Sequence, residues 1–195
     1  MPARQYRSFL MEKLKLNLNL IKQLITRIQV HILLIYEAGE SVVDVKTGTW
    51  NDLKALASPL RYEVFVNEQE IDPELEWDAA DETAVYAVVL NKLGQAVATG
   101  RLLQPQSHVA QIGRMAVNKA LRGGSLGRLV VSTLIDKARQ RGDREVLLHA
   151  QCSAEGFYKR QGFEPHGEPF DEVGIPHIEM RRSLGLRPQM SSRSG

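Results

Sequence analysis

The apolar run Ile112-Gly113-Arg114-Met115-Ala116-Val117 leads, through Asn118 to Leu121, into Arg122-Gly123-Gly124-Ser125-Leu126-Gly127-Arg128. A strand that meets a glycine corner and then opens a helix points consecutive backbone N–H groups at one place, where the helix dipole favours an anion. A pyrophosphate fits such a corner; so does a plain helix N-terminus with Ser125 as its cap. The stretch lacks the Gly-Lys-Ser/Thr of a Walker loop and the spacing of a dinucleotide fingerprint, and it follows the fourth predicted strand, not the first. A second chemical feature is the segment from Glu68 to Glu82, which carries eight acids and no Lys or Arg, with Trp77 in its middle. It either attracts a cationic amine and removes its proton through water, or is a solvated acidic loop. His177 either lines an acceptor pocket and acts as base or is a structural hydrogen-bonding histidine. His149, inside a predicted strand, reads as buried structure, and the single Cys152 as a small buried residue, not a nucleophile.

Short strand and helix signals alternate from Ser41 onward. Val42 to Lys46 reads as a strand, and Trp50 to Glu68 as helix split in two by Pro59. Thr83 to Asn91 and Gln95 to Leu103 form a hairpin about Lys92-Leu93-Gly94, followed by a strand from Val109 to Val117. A long amphipathic helix then presents Leu126, Leu129, Val130, Thr133, Leu134 and Ala138 inward and stops at Gly142. Glu145 to Ala150 reads as a buried strand and Ser153 to Gln161 as a short helix closed by Gly162. Pro169 to Val173 and His177 to Arg182 read as strands around a Gly174-Ile175-Pro176 turn. Residues 185–195 read as a flexible tail.

The chain of 195 residues carries 25 Lys plus Arg and 23 Asp plus Glu, a net charge of +2. That sum hides a split: residues 1–36 hold six bases and one acid, a net of +5, which leaves the remainder at −3. A mildly acidic body argues against nucleic acid as its partner. Met11, Leu14, Leu18, Ile21, Ile25, Ile28, Ile32 and Ile35 step by three and four, an a/d seam. Residues 1–40 are therefore read as a basic amphipathic extension. It is a helix packing on the domain or on a second copy in a homodimer, a stretch added by an early start codon, or a membrane or targeting helix. Lys22, Arg27 and His31 interrupt its richest stretch, so no membrane span is expected. One cysteine excludes a disulfide framework and multi-cysteine metal sites and fits a reducing cytoplasm.

Taken together, several segments resemble the GNAT superfamily of acyl-CoA-dependent N-acetyltransferases, and within it the ElaA-like branch. They are Leu60 to Gln69, Gly100-Arg101-Leu102, Gly113 to Val117, the Arg122 to Gly127 corner, Leu148-His149-Ala150-Gln151, Gly156-Phe157-Tyr158, Gln161-Gly162-Phe163 and Gly174-Ile175-Pro176-His177 before Met180. The resemblance spans about residues 42–184, and residues 41–184 are assigned to one domain. It implies an α+β fold, a three-layer α/β/α sandwich whose mixed, mostly antiparallel sheet splays between its fourth and fifth strands, to which the seam of the leader adds an extra N-terminal helix. It implies acetyl-CoA as acyl donor, no metal, and a small-molecule amine as acceptor; a peptide or protein amine, or a non-catalytic acyl-CoA-binding module, are the alternatives.

The family's phosphate loop, Gln/Arg-x-x-Gly-x-Gly/Ala, maps onto Arg122-x-x-Ser125-x-Gly127, with serine in place of the usual glycine. Arg122, Gly123, Gly124, Ser125, Leu126, Gly127 and Arg128 would hold the phosphates. Backbone groups of Met115, Ala116 and Val117 would bond the pantetheine arm as an added strand, with the Ala116 N–H as oxyanion donor. Gln151 falls where many members place a cofactor-contacting Asn, and Phe157 beside it completes the cofactor set. Tyr158 matches the tyrosine that protonates the departing thiolate. Glu68 and Asp78 flank the part that resembles the substrate-side loop and are candidate bases. Arg101 and Arg114 either pair with the acidic segment or bind a substrate carboxylate.

Overall fold

The computed structural model describes residues 43–185, so the predicted N-terminal helix and most of the tail lie outside the described residues. Seven strands form one sheet in the order β1-β2-β3-β4-β5-β7-β6. They are β1 (Val43–Thr49), β2 (Val85–Asn91), β3 (Ala96–Gln106), β4 (Val109–Val117), β5 (Glu145–Gln151), β6 (Glu164–Glu172) and β7 (Ile175–Ser183). β2, β3 and β4 are antiparallel neighbours, as are β5, β7 and β6. The two groups meet along a short parallel ladder, Val109 to Ile112 against Glu145 to Leu148. Beyond it β4 runs on to Val117 and β5 to Gln151 without pairing each other, which is the splay that the resemblance implied.

Helix α1 (Trp50–Arg61) starts where Thr49 donates both its N–H and its hydroxyl to the Asp52 carboxylate, at 2.9 and 2.7 Å. That is an acid placed in the first turn, where the dipole favours it. The expected break at Pro59 does not occur: α1 passes through it to Arg61 and then widens into a π-helical segment, Tyr62–Glu68. Pro59 removes one N–H, but Leu60, Val64 and Phe65 keep burying one continuous face against Ala116, and that packing carries the helix on. Helix α3 (Leu126–Arg141) buries Val130, Val131, Leu134, Ile135 and Ala138. The buried stripe is thus rotated toward Val131 and Ile135, and Thr133 is only half-buried. Gly142, in the left-handed region at φ +93°, ends it.

β6 begins five residues earlier than expected, because Glu164 to His166 pair with β7 before a register shift leads to Phe170. Pro165 and Pro169 hide the strand signal, and an edge strand tolerates them. The turn is Val173-Gly174, both at positive φ (55° and 75°), and Ile175 and Pro176 already belong to β7.

Between α1 and β2 the acidic segment folds into α2 (Pro73–Glu76) and a 3-10 turn (Ala79–Thr83). Two of its acids, Glu76 and Asp81, are buried, and a buried arginine of α1 meets both. Arg61 Nε donates to Glu76 Oε1 at 2.5 Å, Nη2 to the Glu76 carbonyl at 2.8 Å, and Nη1 to Asp81 Oδ1 at 3.0 Å and to the Tyr86 hydroxyl at 2.7 Å. The guanidinium lies 5.2 Å from the Trp50 ring centroid and 4.6 Å from that of Trp77, so cation–π contacts add to the ion pairs. Tyr86 donates to Asp81 in turn. Burial alone would raise the Asp81 carboxyl, but hydrogen bonds from Arg61, Tyr86 and Arg101 outweigh it and hold it below the ordinary aspartate value.

Replacing Arg61 by methionine leaves Glu76 and Asp81 buried without their main partner, and breaking such a network costs about 3–5 kcal/mol. Denaturant unfolding of Arg61→Met is expected to show that loss. Because Asp81 titrates lower folded than unfolded, the stability it contributes is present above the ordinary aspartate range and is lost as pH falls through its folded value. The wild-type denaturation midpoint should fall steeply below about pH 4, and Asp81→Asn should start lower and fall less.

Candidate active site

The splay leaves the edge of β4 from Gly113 to Val117 open toward β5, while its other edge pairs with β3 (Thr99 opposite Ala116, Ala98 opposite Val117). Met115, Ala116 and Val117 therefore lie on an unpaired strand edge that an extended ligand can extend. Immediately beyond, the chain turns through Lys119–Leu121 and the 122–125 corner into α3. The first N–H groups of α3 have no partner within the helix, and the Ser125 side chain makes no capping bond, so backbone donors at Ser125, Leu126, Gly127 and Arg128 stay available for an anion. Gly127 is where α3 meets Phe157: a Cβ there would stand 3.2 Å from the Phe157 ring. Phe157 thus packs beneath the corner, and any larger residue at position 127 would push the two apart.

The Arg122 side chain is committed elsewhere. Its two terminal nitrogens grip Glu68 at 2.5 and 2.7 Å, and Nε donates to the Val117 carbonyl at 3.0 Å. The bond from Arg122 holds the Glu68 carboxyl below its ordinary value. Glu68 thereby ties the end of the π-helical segment to the corner and is not among the residues that line the cavity described next.

That cavity, of about 350 Å³, opens between the splayed strands. Met115, Gln151, Tyr158 and His177 line it, whereas the corner residues and Phe157 do not. Tyr158, on α4 (Glu155–Lys159), is 7% exposed and stands edge-on to Phe157 and Phe163. Burial pushes its phenol up to about 12, so it keeps its proton through the neutral range. Gln151 donates to the Gln69 side chain at 2.9 Å, closing the gap between β5 and the π-helical segment. His177 Nδ1 lies 2.8 Å from the Ile175 carbonyl, which can only accept, so Nδ1 bears the proton and the neutral ring keeps its lone pair on Nε2.

The acidic segment supplies one wall. Arg101 Nη1 donates to Asp78 at 2.7 Å and to Asp81 at 2.6 Å, and Arg114 reaches Asp78 at 3.1 Å and the Leu75 and Glu76 carbonyls. Both arginines pair with the acidic segment, as one of the two expectations had it, and both line the cavity. His149 is not buried structure: its ring is exposed on the opposite wall, edge-on to Phe170 and within 3.4 Å of Glu172. On β5 this residue pairs with Glu179 of β7, and its ring lies on the sheet face beside Glu172 and Glu179. Cys152 is half-buried. Sequence reasoning missed Glu172, Gln69 and the anchoring role of Arg61. An arginine falling on the apolar stripe of Leu53, Ala57, Leu60 and Val64, upstream of eight acids without a base, was the available signal.

The family model described as acetyltransferase (GNAT) domain matches residues 53–184. This chain belongs to the GNAT acetyltransferase family, in its ElaA-like branch. Protein ElaA of Escherichia coli K12 is 36% identical over 129 residues, covering 64% of this chain and 84% of that one. The crystal structure of Escherichia coli ElaA superposes with a TM-score of 0.65 at 29% identity, over 72% of this chain and 99% of that one. An acyl-CoA N-acyltransferase from Pseudomonas aeruginosa gives a TM-score of 0.65 at 33% identity, over the same two shares. The GNAT family performs acyl transfer to acceptor substrates. Among the described residues, no helix is long and apolar enough to cross a membrane.

An NMR titration of the carboxyl carbons checks the electrostatics of this GNAT corner. Glu68 should titrate below the ordinary glutamate range in the wild type and return to it in Arg122→Ala, because the bond that favours its charged form is gone.

Proposed function

We propose that this protein transfers an acetyl group from acetyl-CoA to the primary amine of a small molecule by direct attack in a ternary complex. The observation that carries this reading is one gap in the sheet that brings together an open strand edge, free N–H groups at a helix start and a buried, protonated tyrosine. The residues present fit the donor. Backbone N–H groups from Gly123 to Arg128 would hold its pyrophosphate, with Lys119 and Arg128 adding positive charge and the Arg122 guanidinium acting through its grip on Glu68. The β4 edge at Met115, Ala116 and Val117 would take the pantetheine arm, with Phe157 and Gln151 bordering it. Related proteins support a CoA-based donor: the Pseudomonas aeruginosa relative is described as an acyl-CoA N-acyltransferase.

A thioester supplies an activated acyl carbon, and this chain's groups must manage charge and protons. The Ala116 N–H would stabilise the oxyanion as the amine nitrogen bonds to the carbonyl carbon. His177 Nε2, its tautomer set by the Ile175 carbonyl, would take the proton that the amine loses. Tyr158 would give its proton to the sulfur as the C–S bond breaks. Glu68, whose carboxylate Arg122 holds charged outside the cavity, serves this reading as a positioning residue and not as base. Acceptors small enough for about 350 Å³ fit better than a folded protein surface.

Thiol release from acetyl-CoA against a panel of polyamines, amino sugars, amino acids and peptides tests the reading: turnover with at least one small amine is expected, and acetyl-CoA binding without release on any of them would make the protein a binding module. Tyr158→Phe should lower kcat by about 10²–10⁴-fold. With the phenol ionising only at about 12, the wild-type rate should show no decline from loss of the acid below about pH 11.

A further inference from the structure

Among the described residues, three buried side-chain polar atoms have no hydrogen-bond partner: Ser58 Oγ, Arg101 Nε and Glu172 Oε2. An unmade bond of this kind costs about 1–3 kcal/mol, and more for a charged group, so native structures keep few of them. Ser58 lies in α1, away from the cavity lining. The other two belong to residues that line the cavity described above, and they are opposite in kind.

Arg101 is 6% exposed. Its Nη1 is saturated by Asp78 and Asp81, but its Nε–H, a donor with no capacity to accept, is left over. Arg114, on the same wall, adds a second guanidinium whose side chain is 24% exposed. The acids of that wall are already taken: Asp78 is shared by both arginines, and Glu76 lies against Arg61 at 2.5 Å and Arg114 at 3.4 Å. What remains unsatisfied there is a guanidinium N–H, a donor that a carboxylate oxygen of a ligand suits.

On the facing wall, formed by β5, β6 and β7, the leftover atom is a carboxylate oxygen. Glu172 Oε2 is 3.4 Å from His149 Nδ1, close enough for charge attraction but without a hydrogen bond, and His149 Nε2 is 3.8 Å from Glu179. Glu179 is itself held by Arg181 at 2.6 Å and lies 3.2 Å from His166. What Glu172 lacks is a donor, which a ligand amine carries. His177, the base in the reading above, lines the same cavity.

We propose that the acceptor is an amine that also bears a carboxylate, an amino-acid-like zwitterion, with its carboxylate on Arg101 and Arg114 and its amine at Glu172. One such molecule would offer each orphaned atom the kind of partner it lacks. A simple polyamine would leave Arg101 Nε without an acceptor, and a plain carboxylic acid would leave Glu172 Oε2 without a hydrogen-bond donor. The assignment takes from the transfer reading the fate of the amine; the binding itself stands on the two atoms.

The test is calorimetric titration of the full chain, saturated with CoA, with the twenty common L-amino acids, β-alanine and γ-aminobutyrate. Each is compared with its carboxamide, its decarboxylated amine and its deaminated acid. At least one amino acid is expected to bind, with its three counterparts weaker by at least about ten-fold, or about 1.4 kcal/mol. Binding of amides or simple amines as tight as that of any amino acid, or no binding by any amino acid, overturns the proposal. Glu172→Gln, a change at a side chain 42% exposed, should weaken the amino acid about ten-fold and leave the deaminated acid unchanged. Equal effects on both would also overturn it. An amino acid that binds in this pattern yet is never acetylated supports the zwitterion site and counts against the transfer reading alone.

Discussion

Taking the Arg61 guanidinium out of water costs several kcal/mol, and the fold recovers it only by bringing carboxylates, a phenol and two indole rings around it. Those partners come from different parts of the chain: Trp50 from the start of α1, Glu76 and Trp77 from the acidic segment, Asp81 from the 3-10 turn, and Tyr86 from β2. Satisfying one cation therefore fixes where the acidic segment can run. Asp81 passes the constraint on to Arg101 of β3, and Asp78 passes it to Arg114 of β4. Three guanidinium groups and three carboxylates thus clamp the segment over the end of the sheet, where it becomes a wall of the cavity.

The sheet contributes the complementary constraint. β4 and β5 pair over four residues and then part, so each keeps one edge without a strand beside it. An exposed strand edge is a liability unless it is covered, and here it is flanked by the π-helical segment, Gln69 joined to Gln151 across the opening, and the start of α3. Arg122, bonded at once to the Val117 carbonyl and to Glu68, ties the end of β4 to the end of that segment. The acidic wall and the glycine corner are in this way parts of one connected arrangement, although only the wall lines the cavity.

The elements with strong local signals were legible in the sequence. The hairpin about Lys92 to Gly94, the glycine corner, α3 and the β4 strand fall where periodicity and turn chemistry put them. Readings failed where tertiary packing overrode a local rule. Pro59 reads as a helix break, yet a continuous buried face from Leu60 to Phe65 carries the winding past it. Pro165 and Pro169 mask a strand because an edge strand has no need of their missing N–H groups. His149 reads as buried because it sits in an apolar strand, yet it lies between the buried Leu148 and Ala150 and so points to the opposite face, where its ring is exposed. Glu172 carries no local mark at all; its place beside His149 is a product of the β6–β7 hairpin and of the ladder between β5 and β7. The family resemblance supplied what local rules do not, an expected role for the corner and for Tyr158.

The central claim is that the open edge of β4 and the first turn of α3 together receive acyl-CoA. Hydrogen–deuterium exchange of the full chain, with and without saturating acetyl-CoA, tests it most directly. The account predicts slowed exchange concentrated in the amides of Gly113 to Val117 and Gly123 to Arg128, with β1 and β6 unchanged. Bound acetyl-CoA that left both stretches exchanging at their free rates would contradict it.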